Sequence, residues 1–163
     1  MMNTRGFTLI ELILVLVLLT IIAVFAMPRL GDVPSMKSGA FADKLRADIR
    51  YAQNLAMTRG QRVRVTFAAA SYDLTIGATH VIDPSTGNVY PVLLGVGDYA
   101  GIAITMPTGF SGNYVEFDSL GTPYDNATGG SCSTAPCPLT TNKTVIVTGG
   151  PSITVTAKTG AIN

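Results

Sequence analysis

An uninterrupted apolar run near the N-terminus constrains this chain more than any other feature. Between residues 7 and 27 the only polar side chains are those of Thr8, Glu11 and Thr20. As an α-helix rising about 1.5 Å per residue, such a run is about 30 Å long and matches the hydrocarbon core of a bilayer. We therefore predict a transmembrane helix over residues 7–27.

Glu11 is unexpected within this run. A charged side chain deep in a bilayer costs about 2.5–3.5 kcal/mol on insertion scales, so its presence indicates a function. A secretory signal peptide does not fit, because its apolar region spans about 7–15 residues and ends at a small-residue cleavage site. An ordinary uncleaved anchor remains an alternative, but it gives Glu11 no role.

The residues around Glu11 resemble a known processing motif. The stretch from Gly6 to Glu11, GFTLIE, is similar to the N-terminal motif of type IV pilins and of the pseudopilins of type II secretion. The resemblance implies that residues 1–6 are a leader, that a prepilin peptidase and methyltransferase cuts between Gly6 and Phe7, and that Phe7 is methylated on its amine. It also implies that Glu11 neutralises the N-terminal ammonium of a neighbouring subunit in the fibre. An amine and a carboxylate that are each costly in an apolar medium become tolerable when paired.

A break is predicted directly after the apolar run. Pro28 falls where members of this family carry a kink-forming proline, and a proline inside a helix removes a backbone hydrogen bond and bends the helix. Gly31, Pro34 and Gly39 follow, so we expect a melted or broken segment over residues 28–39.

An amphipathic helix follows, up to Arg59 and Gly60, which form a plausible C-terminal stop. Apolar residues recur at steps of three and four and define one stripe: Phe41, Leu45, Ile49, Ala52 and either Leu55 or Ala56. Polar residues occupy the other faces: Asp43, Arg46, Asp48, Arg50 and Asn54. We predict that the stripe packs on a sheet, and a stripe that lines a ligand site is the less favoured alternative.

The pattern changes to strict alternation after Gly60, which is typical of half-buried strands. Strands are predicted at RVRVTF, YDLTI, THVID, VYPVLL, GIAITM, YVEF, TVIVT and SITVTA, separated by turn sequences such as DPSTGN and DSLGTP. With the resemblance, this predicts an α+β pilin fold in which the second half of a long N-terminal helix packs on an antiparallel sheet. The expected organisation is a leader (1–6), a transmembrane or fibre-core helix (7–27), the helix break and amphipathic second half (28–60) and a β-rich head (61–163).

The later chain resembles one branch of the family. AQNLAMTRGQRVRVTF, YVEFDSLGTP and the closing ITVTAKTGAI are similar to the GspH/FimT-type minor pilins and to the MSHA-type pilins. These share a helix that leads into a β-rich head with a late F-D-x-x-G-x-P turn.

Two cysteines, Cys132 and Cys137, bracket a short loop rich in glycine and proline. In a head exported beyond the inner membrane, we expect them to form one disulfide that closes a small loop. A redox or metal pair would need a C-x-x-C spacing or further ligands, which nothing nearby supplies.

The sequence offers little for an enzyme or a metal site. It has one histidine, His80, and with Asp83 it falls well short of a metal shell, so an ordinary histidine at a strand end is expected. No nucleophile signature is present. We therefore predict no catalytic residues, no metal and no cofactor. Two sequons, at Asn126 and Asn142, fit turn residues better than glycosylation sites.

Charge is unevenly distributed along the head. Between residues 43 and 64 there are six basic residues (Lys44, Arg46, Arg50, Arg59, Arg62 and Arg64) against two acidic ones, and after Val65 acidic residues dominate. Three interpretations remain open. In the first, the charges are paired within the molecule; in the second, they form complementary faces between stacked subunits. The third interpretation is a nucleic-acid strip, which no interleaved aromatic residues support.

Together these features predict a structural, non-enzymatic subunit of a type IV pilus or a type II secretion pseudopilus, and we favour a minor subunit over a major one. The alternative is a tip or accessory module that binds DNA, a surface or a secreted substrate in the same format. The resemblance implies a bacterial inner-membrane protein with its head in the periplasm, which enters a pilus or pseudopilus on assembly. Expected partners are other pilin subunits, the prepilin peptidase, the assembly platform and motor, and membrane lipid before assembly; nucleic acid is the least favoured.

Overall fold

The computed structural model describes residues 7–26, 33–127, 132 and 134–163. The chain divides into two compact units, one that ends at Pro34 and one from Ser35 to Asn163. The first unit contains helix α1, Leu9–Ala26. The second contains helix α2, Val33–Arg59, apart from its first two residues, together with the antiparallel strands. Two helices and an antiparallel sheet confirm the predicted α+β pilin fold.

Helix α2 begins earlier than the sequence suggests. The predicted break over residues 28–39 is wrong for residues 33–39, which are helical, while residues 27–32, with Pro28, lie outside the described residues. Pro34 is the second residue of α2, where a backbone N–H has no intrahelical acceptor, so a proline there loses nothing. The turn that follows is held by tertiary contact, because buried Ser38 donates its hydroxyl to the carbonyl of Thr148 at 3.1 Å.

The apolar stripe of α2 is buried as predicted. Five of its side chains are at most 1% exposed: Phe41, Leu45, Ile49, Ala52 and Ala56. They form one core with the inner faces of the strands. The prediction for Asp48 is wrong, since this residue is only 3% exposed instead of lying on an outer face.

Within the described part of the chain, the main sheet contains seven short strands: β1 (Val63–Ala68), β2 (Ser71–Ile76), β3 (Thr79–His80), β4 (Val92–Leu93), β5 (Tyr114–Phe117), β6 (Pro123–Asp125) and β7 (Cys137–Pro138). Their order is β3-β2-β1-β5-β6-β7, and β4 also pairs with β2. A separate antiparallel pair is formed by β8 (Lys143–Ile146) and β9 (Ser152–Val155).

Strand β1 shows why the alternating pattern predicts the sheet. Val63, Val65 and Phe67 are at most 2% exposed and point into the core, whereas Thr66 between them is exposed. Val65 lies opposite Leu74 of β2 on one side and opposite Val115 of β5 on the other. A shift of one residue would expose all of these apolar side chains, so the pattern fixes the register.

Not every predicted strand forms at its expected length. The segments THVID and VYPVLL contribute only the two-residue strands β3 and β4. The prediction of a strand over residues 101–106 is wrong, because only Ile104 forms an isolated bridge, to Val147. Strands β6 and β7 were not predicted. Each contains a proline, which usually argues against a strand and is tolerated here in a short piece near the sheet edge.

Candidate functional site

Helix α1 carries the first candidate site. Phe7, 74% exposed, directly precedes Thr8, which caps the helix: the backbone N–H of Glu11 donates to the Thr8 carbonyl at 3.1 Å and lies 3.4 Å from its hydroxyl oxygen. The structure thus brings Phe7 and Glu11 together at the N-terminal end of α1. Gly6, on the other side of the predicted cleavage point, lies outside the described residues.

The surface of α1 is apolar and exposed on every side. All side chains from Leu9 to Ala23 are exposed, and only Glu11 and Thr20 among them are polar. The Thr20 hydroxyl donates to the carbonyl of Val17 at 2.7 Å, so its hydrogen bond is satisfied inside the helix. A helix that is apolar all round requires apolar surroundings. Among the described residues, no helix combines the length and the hydropathy needed to cross a membrane.

Glu11 is the remaining polar group on this helix. None of the ion pairs between described residues involves it. Burying a carboxylate in apolar surroundings costs free energy unless a cation is buried next to it and pairs with it. The first turn of α1 therefore presents an acceptor suited to an ammonium group.

A polar cluster joins α2 to the connection between β3 and β4. The Lys44 ammonium donates to Asp83 at 2.8 Å, to Asp48 at 2.9 Å and to the Ser85 hydroxyl at 3.0 Å. Asp48 also accepts a hydrogen bond from the buried Tyr72 hydroxyl at 2.5 Å. Asp83 caps its own turn, since its carboxylate accepts from the backbone N–H of Ser85 at 2.8 Å.

These contacts set the ionisation of the cluster. Burial alone would raise the pKa of Asp83, but hydrogen bonds from Lys44 and Ser85 outweigh it and lower this pKa to about 2. Burial likewise opposes the charge of Lys44, yet its bonds to Asp83 and Asp48 raise its pKa overall. Burial, reinforced by the adjacent Asp48, raises the pKa of Tyr72. At neutral pH the Asp83 carboxylate and the Lys44 ammonium are therefore charged, and the Tyr72 hydroxyl is neutral.

A second charged group lies on the opposite face of the sheet from the α2 stripe. Glu116 accepts from Arg62 at 2.9 Å and from Arg64 at 2.8 Å, and its side chain is only 8% exposed. The guanidinium of Arg62 lies 4.4 Å from the ring centre of Tyr124, and that of Arg64 lies 4.2 Å from the ring centre of Tyr114. Both arginines are thus held by one carboxylate and one aromatic ring each.

Most of the basic residues predicted to form a patch are paired within the molecule. Lys44, Arg62 and Arg64 pair as described, Arg46 pairs with Asp43, and Arg50 donates to the carbonyl of Ile162 at 2.6 Å. These pairs support the interpretation of internal pairing. Arg59 differs, because none of the ion pairs between described residues involves its guanidinium.

His80 and the cysteines take ordinary structural positions. The His80 Nδ1 atom lies 3.0 Å from a carboxylate oxygen of Asp73 at the sheet edge, and Asp83 belongs to the separate Lys44 cluster. Over residues 7–26, 33–127, 132 and 134–163, no group of side chains has the composition of a metal site. Cys132 and Cys137 are joined by a disulfide with their Cα atoms 5.9 Å apart.

The FDSLGTP turn between β5 and β6 is rigidly built. Asp118 accepts from the backbone N–H groups of Leu120 and Thr122, each at 2.9 Å, and from the Tyr124 hydroxyl at 3.1 Å. Burial would raise the pKa of Asp118, but these backbone hydrogen bonds lower it overall. The Gly121 carbonyl accepts from the side-chain amide of Gln53 on α2 at 2.9 Å.

Family comparisons support the resemblance to pilins. Residues 42–160 match the family model described as type II transport protein GspH, which covers α2 from its third turn and nearly all of the head. The chain belongs to the GspH family. Residues 1–27 match the prokaryotic N-terminal methylation motif. The two matches confirm the resemblance to pilins and pseudopilins.

One curated relative adds to this placement. Over 83 residues, the chain is 37% identical to the competence protein ComGD of Bacillus subtilis (strain 168). The match covers 49% of this chain and 57% of the relative, so the chain spans little more than half the length of that protein. No solved structure matches the chain.

Several structurally important residues could not be assigned from the sequence. Asp83 and Lys44 are 39 positions apart, and Glu116 lies more than 50 positions from its arginines. Two local signals were available. Lys44 and Asp48 have the i,i+4 spacing of a helical ion pair, and Asp83 opens the turn sequence DPSTGN, where an aspartate commonly caps the turn.

Proposed function

We propose that this chain is a minor structural subunit of a type IV pilus or type II secretion pseudopilus, assembled from the inner membrane through its apolar N-terminal helix. One observation carries the proposal: Glu11 lies in the first turn of a helix whose exposed surface is otherwise apolar except for Thr20. An all-apolar surface suits both a bilayer and the core of a helical bundle. The same helix can therefore move from the bilayer into the core of a helical bundle at little cost in free energy.

Removal of the leader would create the positive charge with which Glu11 would pair. Removal of residues 1–6 between Gly6 and Phe7 by a prepilin peptidase would create a new amino terminus at Phe7, methylated on its amine. A methylated amine still carries a positive charge. Phe7 and Glu11 then present one cation and one anion at the same end of each subunit, and pairing between neighbours would leave neither charge alone in the apolar core.

The remaining parts of the chain fit the same route. Residues 7–27 would hold the subunit in the inner membrane with its head in the periplasm, and Pro28 would bend the helix where it leaves the membrane. The expected partners are other pilin subunits, the peptidase and methyltransferase, and the inner-membrane assembly platform. Among the residues of the head that the structure describes, no group of side chains suggests an enzyme, and we propose no catalytic activity.

An accessory role in DNA uptake is the second candidate, favoured by the likeness to a protein named for competence. Arg62 and Arg64 are both already engaged by the Glu116 carboxylate, which argues against the head as the DNA-binding element. In a competence fibre the chain would thus still act as a subunit.

Mass spectrometry of sheared surface fibres from the native bacterium tests the proposal. We expect a sub-stoichiometric amount of this chain with methylated Phe7 as its first residue. Recovery of chains that still carry residues 1–6, or absence of the chain from the fibres, would contradict it. If this chain is as abundant in the fibres as the main fibre protein, it is a major subunit and not a minor one.

A further inference from the structure

The main sheet ends in β3, whose outer side leaves backbone groups open. The Val81 N–H donates to the carbonyl of Leu74 in β2 at 2.9 Å, so these two residues form a hydrogen-bonded pair. His80 is the preceding residue and lies opposite Thr75. Because hydrogen-bonded and non-hydrogen-bonded pairs alternate in an antiparallel ladder, the backbone N–H and C=O of His80 point away from β2.

The same open side continues at Ile82. This residue lies opposite Val89 in an isolated bridge, and the hydrogen bonds that flank the bridge are made by Val81 at 3.0 Å and by Asp83 at 2.8 Å. By the same alternation, Ile82 turns its own N–H and C=O outward, and no backbone hydrogen bond between described residues engages them. His80 and Ile82 thus present, two positions apart, the groups to which a further strand can bond. We call residues 79–82 the β3 edge.

A groove of about 420 Å³ runs along the β3 edge. Tyr51 and Arg59 of α2 line it on one side, and residues 79–82 line it on the other. These strand residues come from both faces of the sheet, because Val81 is 8% exposed and belongs to the core whereas Ile82 is 58% exposed. The groove therefore follows the edge itself, at the place where a neighbouring strand would lie.

Charge distinguishes the two faces of this edge. On the α2 side, Arg59 is exposed, and none of the ion pairs between described residues involves its guanidinium. On the opposite face, a carboxylate oxygen of Asp73 lies 3.0 Å from His80. An acidic side chain of an incoming strand would therefore pair with Arg59 if it faced α2, and would meet like charge at Asp73 if it faced the other way.

We propose that the β3 edge binds an extended segment of another protein as an added strand, with an acidic side chain of that segment directed at Arg59. Backbone hydrogen bonds to His80 and Ile82 supply affinity, and the side chains that enter the groove supply specificity. The inference goes beyond the proposed role in a fibre and does not depend on it.

A second copy of this chain is a poor occupant of the groove. The strand at the other end of the main sheet, β7, contains Pro138, which has no N–H to donate to a ladder. Two β3 edges paired about a two-fold axis would bring two Arg59 guanidiniums to one interface, where like charges repel. A strand from a different protein fills the groove of one head and ends there, so the contact agrees with a sub-stoichiometric subunit.

Fluorescence anisotropy with the full-length chain in non-ionic detergent tests the charge preference. The probe is a short labelled peptide, capped at both ends, in which threonine and valine alternate around a central glutamate; the matched probe carries a central lysine. We expect the glutamate probe to bind saturably and about three- to tenfold more tightly, because an exposed ion pair replaces a like-charge contact. Arg59→Glu should reverse this preference, and Arg59→Lys should keep it.

Ile82→Pro tests the backbone contacts. Proline removes the outward N–H and none of the hydrogen bonds described above, so binding of the glutamate probe should weaken by about two- to tenfold. Ile82→Ala is the matched control, since it loses the apolar side chain but keeps the N–H, and it should bind more tightly than Ile82→Pro. A glutamate probe with N-methylated backbone nitrogens makes the same test on the native chain and should bind as weakly.

Three results would overturn the inference: no binding of the glutamate probe, a charge preference that Arg59→Glu leaves unchanged, or full binding of the N-methylated probe. The last of these does not depend on whether Ile82→Pro folds. Because the assay uses the purified chain, such a failure is distinct from absence of the chain from fibres.

Discussion

The Lys44 ammonium and the Asp83 carboxylate are 2.8 Å apart although 39 residues separate them in the chain. Both side chains are largely withdrawn from solvent, at 16% and 2% exposure. Their contact ties α2 to the connection that leads from β3 to β4. The edge strands of the main sheet are only two residues long. The Lys44–Asp83 ion pair therefore supplies stabilisation of this connection that longer strand pairing would otherwise give.

Asp83→Asn should therefore destabilise the head by about 2 kcal/mol near neutral pH, because it removes a carboxylate whose pKa is lowered from 3.8 to about 2 in the folded state. All six tyrosines lie in the unit from Ser35 to Asn163, so near-ultraviolet circular dichroism of the full-length chain in detergent reports the unfolding of that unit by denaturant. Asp98→Asn is the matched control, since Asp98 is exposed, and it should change stability by less than about 0.5 kcal/mol. Equal effects of the two changes would contradict the proposed importance of the contact.

The same carboxylate predicts a pH dependence. Its folded pKa is depressed, so its stabilisation is fully present above the unfolded value of 3.8 and is lost as the pH falls towards 2. The difference in unfolding free energy between the native chain and Asp83→Asn should shrink to less than half between pH 5 and pH 2. A difference that stays constant over this range would show that Asp83 acts through packing and not through its charge.

Local patterns predicted both helices and most of the longer strands, while distant contacts decided their exact limits. The alternation of Val63, Val65 and Phe67 and the stripe of α2 depend only on spacing, and both predictions are confirmed. The helical start at Val33 could not be predicted, since it depends on Ser38 meeting Thr148 more than 100 residues later. The N-terminal motif was assigned by resemblance, whereas the Lys44 cluster required the tertiary fold.

Gly160 should be the most sensitive glycine beside α2. It adopts a positive φ of +66°, and a side chain there would come within 2.6 Å of both the Gln53 amide and the Gly121 carbonyl. Gly160→Ala should therefore cost clearly more than Gly77→Ala, where φ is +60° but the surrounding space is open. We expect about 1–2 kcal/mol for the control from backbone strain alone. Equal losses of unfolding free energy for the two variants would show that the segment around Gly160 packs less tightly against Gln53 than the structure indicates.

The cysteine loop makes a prediction for the exported protein. Cys132 and Cys137 should remain unlabelled by a thiol reagent under non-reducing conditions and should both react after reduction. Stabilisation by this bond should be modest, because it closes a loop of only a few residues and so removes little entropy from the unfolded chain. Labelling of both cysteines without reduction would show that the loop is open in the cell.

Glu11→Val tests the central claim most directly. The substitution removes the charge from an apolar run, so insertion and cleavage should be retained. Incorporation into fibres should fall by about a hundredfold or more, since an unpaired buried charge costs on the order of 3–5 kcal/mol. Thr20→Val is the control, because that hydroxyl is satisfied within α1, and it should assemble normally. The measurement is the amount of this subunit, not of total pili, in purified fibres. A sharp loss for Glu11→Val alone is the predicted result, and native amounts of the Glu11→Val subunit would contradict the pairing account.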